Sequence, residues 1–282
     1  MKQFNKIVII GVGLIGGSIG LAIKKLKLAK TVVGIARRES SARQAKRIGA
    51  VDSATLSYKK GLENADLVII ATPIGRIIDI VKNVIKAVPK DKRLLLTDVG
   101  STKEFIVREI EKIIPKNIKF IGSHPMAGSE KSGVKSASGN LFDKSLCIIT
   151  NTKNTDKEAL KKIKHFWKAI GLRSRILAPS QHDKLISFIS HLPHIVSCAL
   201  TLSAIPESLE FASTGFKDMT RIAAADPGLW QDIFVTNKWA LFEAIYEYKK
   251  ALERIENSIK KKDLRLLYEM LNKAKRIRVS LK

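Results

Sequence analysis

Through its first 177 residues the chain alternates short apolar runs with amphipathic stretches. Lys6–Ile10 is a short apolar run that ends in glycines, Ile15–Leu28 carries helical periodicity, and Thr31–Ile35 is β-branched and apolar. Strand, glycine turn, helix and strand predict a βαβ unit. A short helix is expected at Ala42–Ile48, and a buried strand at Leu67–Ala71 that stops at Thr72-Pro73. A helix over Ile74–Val88, closed by Pro89, leads to a strand at Leu94–Thr97. Ser101–Ile114 reads as a helix with Ser101 as N-cap and Glu104 three residues on, a capping-box spacing. Phe120–Gly122 and Leu146–Thr150 are predicted strands, 156–170 a helix, and Ser174–Leu177 a last strand. After Pro179 strand signals vanish, and 181–204, 206–213, 227–258 and 262–279 read as helices. The expected fold is α/β: a Rossmann-type domain over 1–177, then an all-helical domain over 178–282.

The first turn carries the first chemistry. In Gly11-Val12-Gly13-Leu14-Ile15-Gly16, Gly11 suits a tight turn, Gly13 lets a pyrophosphate approach the backbone, and Gly16 lets helix pack on strand. The helix N-terminus offers free N–H groups and a partial positive charge to phosphates. Such a motif alone is weak; after a strand and opening a helix it points to a dinucleotide. The next strand ends in Ala36-Arg37-Arg38, where NAD-binding chains place an acid on the ribose hydroxyl. Arg37 and Arg38 suit a 2′-phosphate, so the cofactor is NAD(P) with NADP slightly favoured; Glu39 keeps NAD open. Thr72 and Pro73, after a strand on the ligand edge of such a sheet, should line the same groove. Ser101 is both a helix cap and a hydroxyl facing the crevice.

Composition changes this picture little. Lysine and arginine number 51 against 26 acids, a formal charge of +25. Much of the excess is spread along the chain, with 12 basic and 4 acidic residues over 249–282. Those basic residues interleave with Leu and Ile at helical spacing, which reads as a solvated helix face, not a nucleic-acid or membrane surface. The field would draw in an anionic substrate. Ile7–Ile23 could pass for a signal-peptide core, but Gly11, Gly13, Gly16 and Gly17 at nucleotide-loop spacing favour strand, turn and helix. No other stretch is expected to approach a membrane span. Cys147 and Cys198 read as buried thiols, with no metal set, in a reducing cytoplasm.

The second chemistry is Gly122-Ser123-His124-Pro125-Met126-Ala127-Gly128-Ser129-Glu130. This string resembles the catalytic segment of prephenate and arogenate dehydrogenases. The resemblance continues in Ala71-Thr72-Pro73, Asp98-Val99-Gly100-Ser101-Thr102-Lys103, His182-Asp183 and Ser190-His191-Leu192-Pro193-His194. It runs on through Phe216–Ala223, Asp226-Pro227 and Trp230-Gln231-Asp232-Ile233. That family oxidises and decarboxylates prephenate, or its amino counterpart arogenate, to an aromatic product. The resemblance implies that His124 accepts the hydrogen bond of the ring hydroxyl and that Ser101 orients it. It further implies that Arg221 holds substrate carboxylate, that His194 and Ser190 line the substrate site, and that Glu130 and Asp183 join an ionic network around it. Trp230 matches a tryptophan of the dimer interface. On spacing alone Ser190 and His194 share a helix face, and Arg221 in an apolar stretch calls for an anionic partner, substrate or Asp218 or Asp226.

Two departures stand out. Relatives carry glycines where Ser213-Thr214-Gly215 stands, and an acid where Ala36 stands. With no room for a regulatory domain after the helical one, feedback by tyrosine, if present, is expected to act at the active site. The helical domain carries apolar positions in excess of its own core, among them Leu185, Ile186, Phe188, Ile189, Ile195, Leu200, Leu202, Trp239, Leu241, Phe242 and Ile245; a homodimer through this domain would cover them. Two other readings were open. A hydroxyacid or imine-reductase type dehydrogenase would need a lysine set in the helical domain, and none has that setting. A basic nucleic-acid-binding protein would show a helix-turn-helix, zinc spacing or aromatic-studded basic strand, and none is seen.

Overall fold

In the computed structural model, residues 4–127 and 133–281 are described. Six strands form one parallel sheet: β1 (Phe4–Ile10), β2 (Ala29–Ile35), β3 (Ser53–Thr55), β4 (Leu67–Ile70), β5 (Leu94–Asp98) and β6 (Ile118–Ile121), in the order β3-β2-β1-β4-β5-β6. Buried on both faces, Ile7–Ile10 of β1, all of β4 and Leu94–Leu96 of β5 read as continuous Ile, Val and Leu. Successive residues of β1 feed opposite cores: Ile7 and Ile9 pack on one side, Val8 and Ile10 on the other. One face is covered by α1 (Leu14–Lys25), α2 (Glu39–Arg47) and α6 (Lys157–Ile170). The other is covered by α3 (Tyr58–Leu62), α4 (Ile77–Ala87) and α5 (Glu104–Ile113). In α4 the buried residues are Ile77, Ile80, Val81 and Val84, the stripe of a 3.6-residue repeat. Each such side chain contributes about 1.5–3 kcal/mol when fully buried. The order reverses between β1 and β4, which opens a ligand crevice at their carboxyl ends.

At Gly122 the chain leaves this sheet. β7 (Ser123–Pro125), β8 (Leu146–Thr150) and β9 (Arg173–Leu177) form a second sheet in that order, with His124 opposite Ile148. A single strand had been expected at Phe120–Gly122; the structure makes two strands in two sheets. β3 and α3 also escaped the pattern, the latter capped by Ser57 Oγ, which accepts from the Lys60 N–H. Both are short, with too few residues to show a period.

The rest is helical: α7 (Pro179–Ile186), α8 (Leu192–Ser203), α9 (Thr214–Thr220), α10 (Pro227–Thr236), α11 (Lys238–Lys260) and α12 (Leu264–Ser280). The region expected as one helix over 181–204 holds a π turn, Ser187–His191, between α7 and α8, where the Leu192 N–H reaches the Ser187 carbonyl. Pro193, which has no N–H to donate, follows directly. Pro206–Phe211 is 3-10, not a regular α-helix, and Arg221–Ala224 is a further 3-10 turn. The helix expected over 227–258 breaks at Asn237, which ends α10 and starts α11. Pro179–Ser203 as a whole is, by length and composition, long and apolar enough to cross a bilayer, contrary to the expectation for the chain. Among the apolar positions expected at a dimer surface, Ile186 and Leu241 are buried within the chain, whereas Leu202 is 86% and Trp239 75% exposed.

Candidate active site

The nucleotide end of the crevice is built from main chain. Gly11 closes β1 with φ +93°, a region where a side chain is strained, and a Cβ there would lie 2.4 Å from the Ala71 carbonyl oxygen. A Cβ on Gly16 would lie 2.0 Å from the Gly11 carbonyl oxygen, so α1 packs straight onto the turn. Gly13 is different: nothing lies within 4 Å of its absent Cβ. It is the N-cap of α1 and brings no side-chain cap, so the first-turn N–H groups around Leu14 and Ile15 are left for an anion. A dinucleotide pyrophosphate fits this cradle. Thr72 and Pro73 follow the neighbouring β4, and the loop is tied to α10 by Gly75 N–H donating to Asp232 Oδ2 at 3.0 Å. Arg37 and Arg38 are exposed after β2 and hold no ion pair among the described residues, while Glu39 pairs with Arg43 at 3.0 Å.

The other end is built from buried side chains. His124 is 8% exposed, and His182 and Asp183 are wholly interior. His124 Nδ1 lies 2.8 Å from His182 Nε2, and His182 Nδ1 lies 2.7 Å from Asp183 Oδ1. Asp183 also accepts the Lys103 N–H at 2.7 Å and the Glu104 N–H at 2.9 Å. A carboxylate bound to those donors is an acceptor, so it takes the Nδ1 proton of His182. The Nε2 of His182 is then an acceptor for the Nδ1 proton of His124. This hydrogen-bond network assigns the lone pair of His124 to Nε2, the atom turned away from the pair. Burial, with the neighbouring His182, Lys103 and His191, holds the His124 imidazole well below the ordinary histidine range. His182 is also lowered by burial, against the pull of Asp183.

Those same bonds correct the reading of Ser101. The helix starts at Glu104, and its N-terminal N–H groups are capped by Asp183, not by Ser101. A fully buried carboxylate outcompetes a hydroxyl as acceptor for two N–H groups. Ser101 is half-buried and, among the described residues, makes no hydrogen bond, so its hydroxyl is free for a ligand. Beneath it the Lys103 ammonium pairs with Asp98, both fully buried. Asp98 also accepts the Gly100 N–H at 2.9 Å and the Ser123 N–H at 3.3 Å. The buried pair thus fastens the end of β5 to the start of β7. Ser123 Oγ lies 2.9 Å from Thr97 Oγ1 and accepts the Trp167 indole N–H at 3.0 Å.

The helical part completes the wall. His191 Nδ1 lies 3.1 Å from Asn237 Nδ2, which also donates to the Asp183 carbonyl at 2.9 Å; these contacts account for the break at Asn237. Burial lowers His191 to about 4. His194 stacks on Trp230 with ring centroids 3.6 Å apart and planes 8° from parallel, and burial lowers its pKa too. Among the described residues, His194 Nδ1 and His191 Nε2 are buried without a hydrogen-bond partner, acceptors or donors open to a ligand. The π turn places Ser190, half-buried, directly before His191 in sequence. Arg221 lies on the 3-10 turn against α8, is exposed, and has no ion pair with Asp218 or Asp226. Trp230, expected at a dimer interface, packs within its own chain on His194. Glu130 lies outside the described residues. Asp183, expected in an ionic network at the substrate, stands one imidazole behind His124. Sequence reading gave no role to His182 or Asn237. The adjacency of His182 to Asp183 was the one signal for the first, and nothing local marked the second.

Residues 19–176 match the family described as prephenate dehydrogenase, nucleotide-binding domain, and residues 178–273 match prephenate dehydrogenase, dimerization domain. The chain is 36% identical over 277 residues to prephenate dehydrogenase of Bacillus subtilis, across 96% of this chain and 74% of that protein. It is 29% identical over 289 residues to cyclohexadienyl dehydrogenase of Zymomonas mobilis, across 100% and 98%. The crystal structure of Aquifex aeolicus prephenate dehydrogenase with hydroxyphenyl propionate and NAD+ superposes with a TM-score of 0.92 at 33% identity, covering 99% of this chain and 98% of that one. Synechocystis arogenate dehydrogenase superposes with a TM-score of 0.85 at 27% identity, covering 98% and 100%.

Proposed function

The chain belongs to the prephenate dehydrogenase family, and on that premise we propose which residues of the crevice carry out the oxidative decarboxylation of prephenate or arogenate. The observation that carries the reading is His124: a buried neutral imidazole whose proton is fixed on Nδ1, leaving Nε2 as base. Nε2 accepts the hydrogen bond of the ring hydroxyl. The hydroxyl of Ser101, unbonded among the described residues, orients that same group. Arg221 pairs with a substrate carboxylate, and His194, held flat by Trp230, offers its free nitrogen to the substrate beside Ser190. When bound in the glycine cradle, the nicotinamide dinucleotide supplies the hydride acceptor. The buried wall keeps water from the base, and the net charge of +25 favours entry of an anionic substrate. Asp183 acts on the substrate through His182 and His124, not by contact. Glu130 remains assigned to the ionic network.

NAD fits the cradle, and the guanidinium groups of Arg37 and Arg38, unpaired among the described residues, add a pull towards the 2′-phosphate of NADP. The exposed apolar side chains of the helical part, Leu202 and Trp239 foremost, support a homodimer through residues 178–282. The test is nicotinamide reduction by purified protein with prephenate or arogenate, each with NAD or NADP. Turnover in any combination supports the assignment, and preference for NADP supports the arginines. Silence in all four from folded, cofactor-binding protein would overturn it.

A further inference from the structure

The reaction has a charge problem that one imidazole does not solve well. While the ring carbon is being oxidised, its hydroxyl proton needs a holder. When the carboxylate departs as carbon dioxide, its bonding pair flows through the ring to that oxygen, which takes a proton back. His124 is a poor place to keep a positive charge meanwhile. It is nearly enclosed, the Lys103 cation and His191 face it, and no carboxylate touches it among the described residues. His182 is the better place. It is in hydrogen-bond contact with His124 on one side and with the Asp183 carboxylate on the other, at 2.8 and 2.7 Å.

We propose that His182 is a positioning residue that stores the substrate's proton: His124 passes its Nδ1 proton to His182 as it accepts the hydroxyl proton at Nε2. The inference rests on the assignment of His124 as the base. The substrate O–H bond breaks and a His124 Nε2–H bond forms; the His124 Nδ1–H bond breaks and a His182 Nε2–H bond forms. His124 is left neutral, and His182 becomes an imidazolium whose Nδ1 proton still binds Asp183. Reversal of both transfers returns the proton to the oxygen as the ring becomes aromatic, so the enzyme ends as it began. Among the described residues, the charged and titratable groups facing His182 are His124, His191, Asp183, and the Asp98–Lys103 pair. That pair is internally neutralised, so Asp183 supplies the one uncompensated opposite charge. Its two main-chain bonds keep it ionised and fixed.

His182→Gln separates storage from support. The amide oxygen of Gln reaches the position of Nε2 and can accept the His124 Nδ1 proton, so the tautomer and orientation of His124 survive. The amide cannot take up a proton. The expected result is a kcat about 10- to 100-fold lower, KM for substrate and affinity for cofactor within about twofold, and an altered acidic limb in the pH profile of kcat. Unchanged kcat and pH profile in a folded His182→Gln protein would overturn the proposal. A second measurement needs no variant: the chain has five histidines, so nitrogen-15 NMR of the histidine-labelled wild type can follow each ring with pH. His182 should gain a proton before His124, and neutral His124 should carry its proton on Nδ1. Protonation of His124 first, or its proton on Nε2, would overturn the relay. Inactivity of the wild type with prephenate and arogenate would instead strike the assigned reaction, a result distinct from either.

Discussion

The two ends of the crevice are made of different material. At the nucleotide end, the working groups are main-chain N–H groups exposed because Gly11, Gly13 and Gly16 have no side chains. At the substrate end, the working groups are side chains, each locked by another behind it: His124 by His182, His182 by Asp183, His194 by Trp230. The first end is local, assembled by six consecutive residues. The second draws on β5, β7, α7, α8, α10 and the break at Asn237. A main-chain site tolerates no added atom, and a side-chain site tolerates no removed one. That difference sets what breaks each.

Removing the base should have the largest effect. His124→Asn is expected to lower kcat by about 10²–10⁴-fold while cofactor affinity, measured by fluorescence titration, stays at the wild-type value. Loss of both would mean that the two ends are not separable. Adding atoms at the other end should come next. No atom of the described residues lies within 4 Å of a Cβ at Gly13, so circular dichroism and melting of Gly13→Val should be unchanged. Cofactor binding should weaken by roughly 10²-fold, the loss of about two charge-assisted hydrogen bonds. Normal affinity would show that the pyrophosphate lies elsewhere.

A subtler contrast lies in acid. The glycine cradle has nothing to titrate near neutrality, whereas burial holds His124, His182, His191 and His194 below their ordinary pKa. The unfolded chain binds protons at these groups from about pH 6.5 downward, and the fold resists until lower pH, for His191 to about 4. Their contribution to stability is therefore complete above about pH 6.5 and is lost as the pH falls below it. The slope approaches about 1.4 kcal/mol per pH unit for each histidine kept neutral. Denaturation curves at pH 7.5 and 5.0 should show this loss, and it should shrink in His191→Gln. An equal loss in that variant would place the acid sensitivity outside the histidine wall.

The same contrast explains how much could be read from the sequence. The glycine loop, the alternation of β1 to β6 with helices, and the helical character after Pro179 depend on neighbours in sequence, and periodicity shows them. Ser101 was misread as a cap because its competitor, Asp183, lies 80 residues from Lys103. The helix over 227–258 was read as unbroken because the partners that hold Asn237 are on α7 and the π turn. The π turn itself is a change of one residue in hydrogen-bond register, smaller than any hydrophobic period can register. His124 was conspicuous in its segment, but its partner His182 is a contact of the folded chain, 58 residues away. Residue type and resemblance carry the roles; the wiring among them exists only in the folded chain.

The cap of α5 also fixes an order of events. The ribosome releases residues 104–113 well before it has made Asp183, so this helix emerges with its leading amides bare. Until the chain has run past α7, its first turn has only water to bond, and the hydroxyl of Ser101 has no settled frame. The proposed catalytic pocket is thus a late product of synthesis, completed by the half of the chain that arrives second. A truncated chain of residues 1–177 should show fast hydrogen exchange at the Lys103 and Glu104 amides, where the full chain protects them; equal protection would mean that the first half matures unaided.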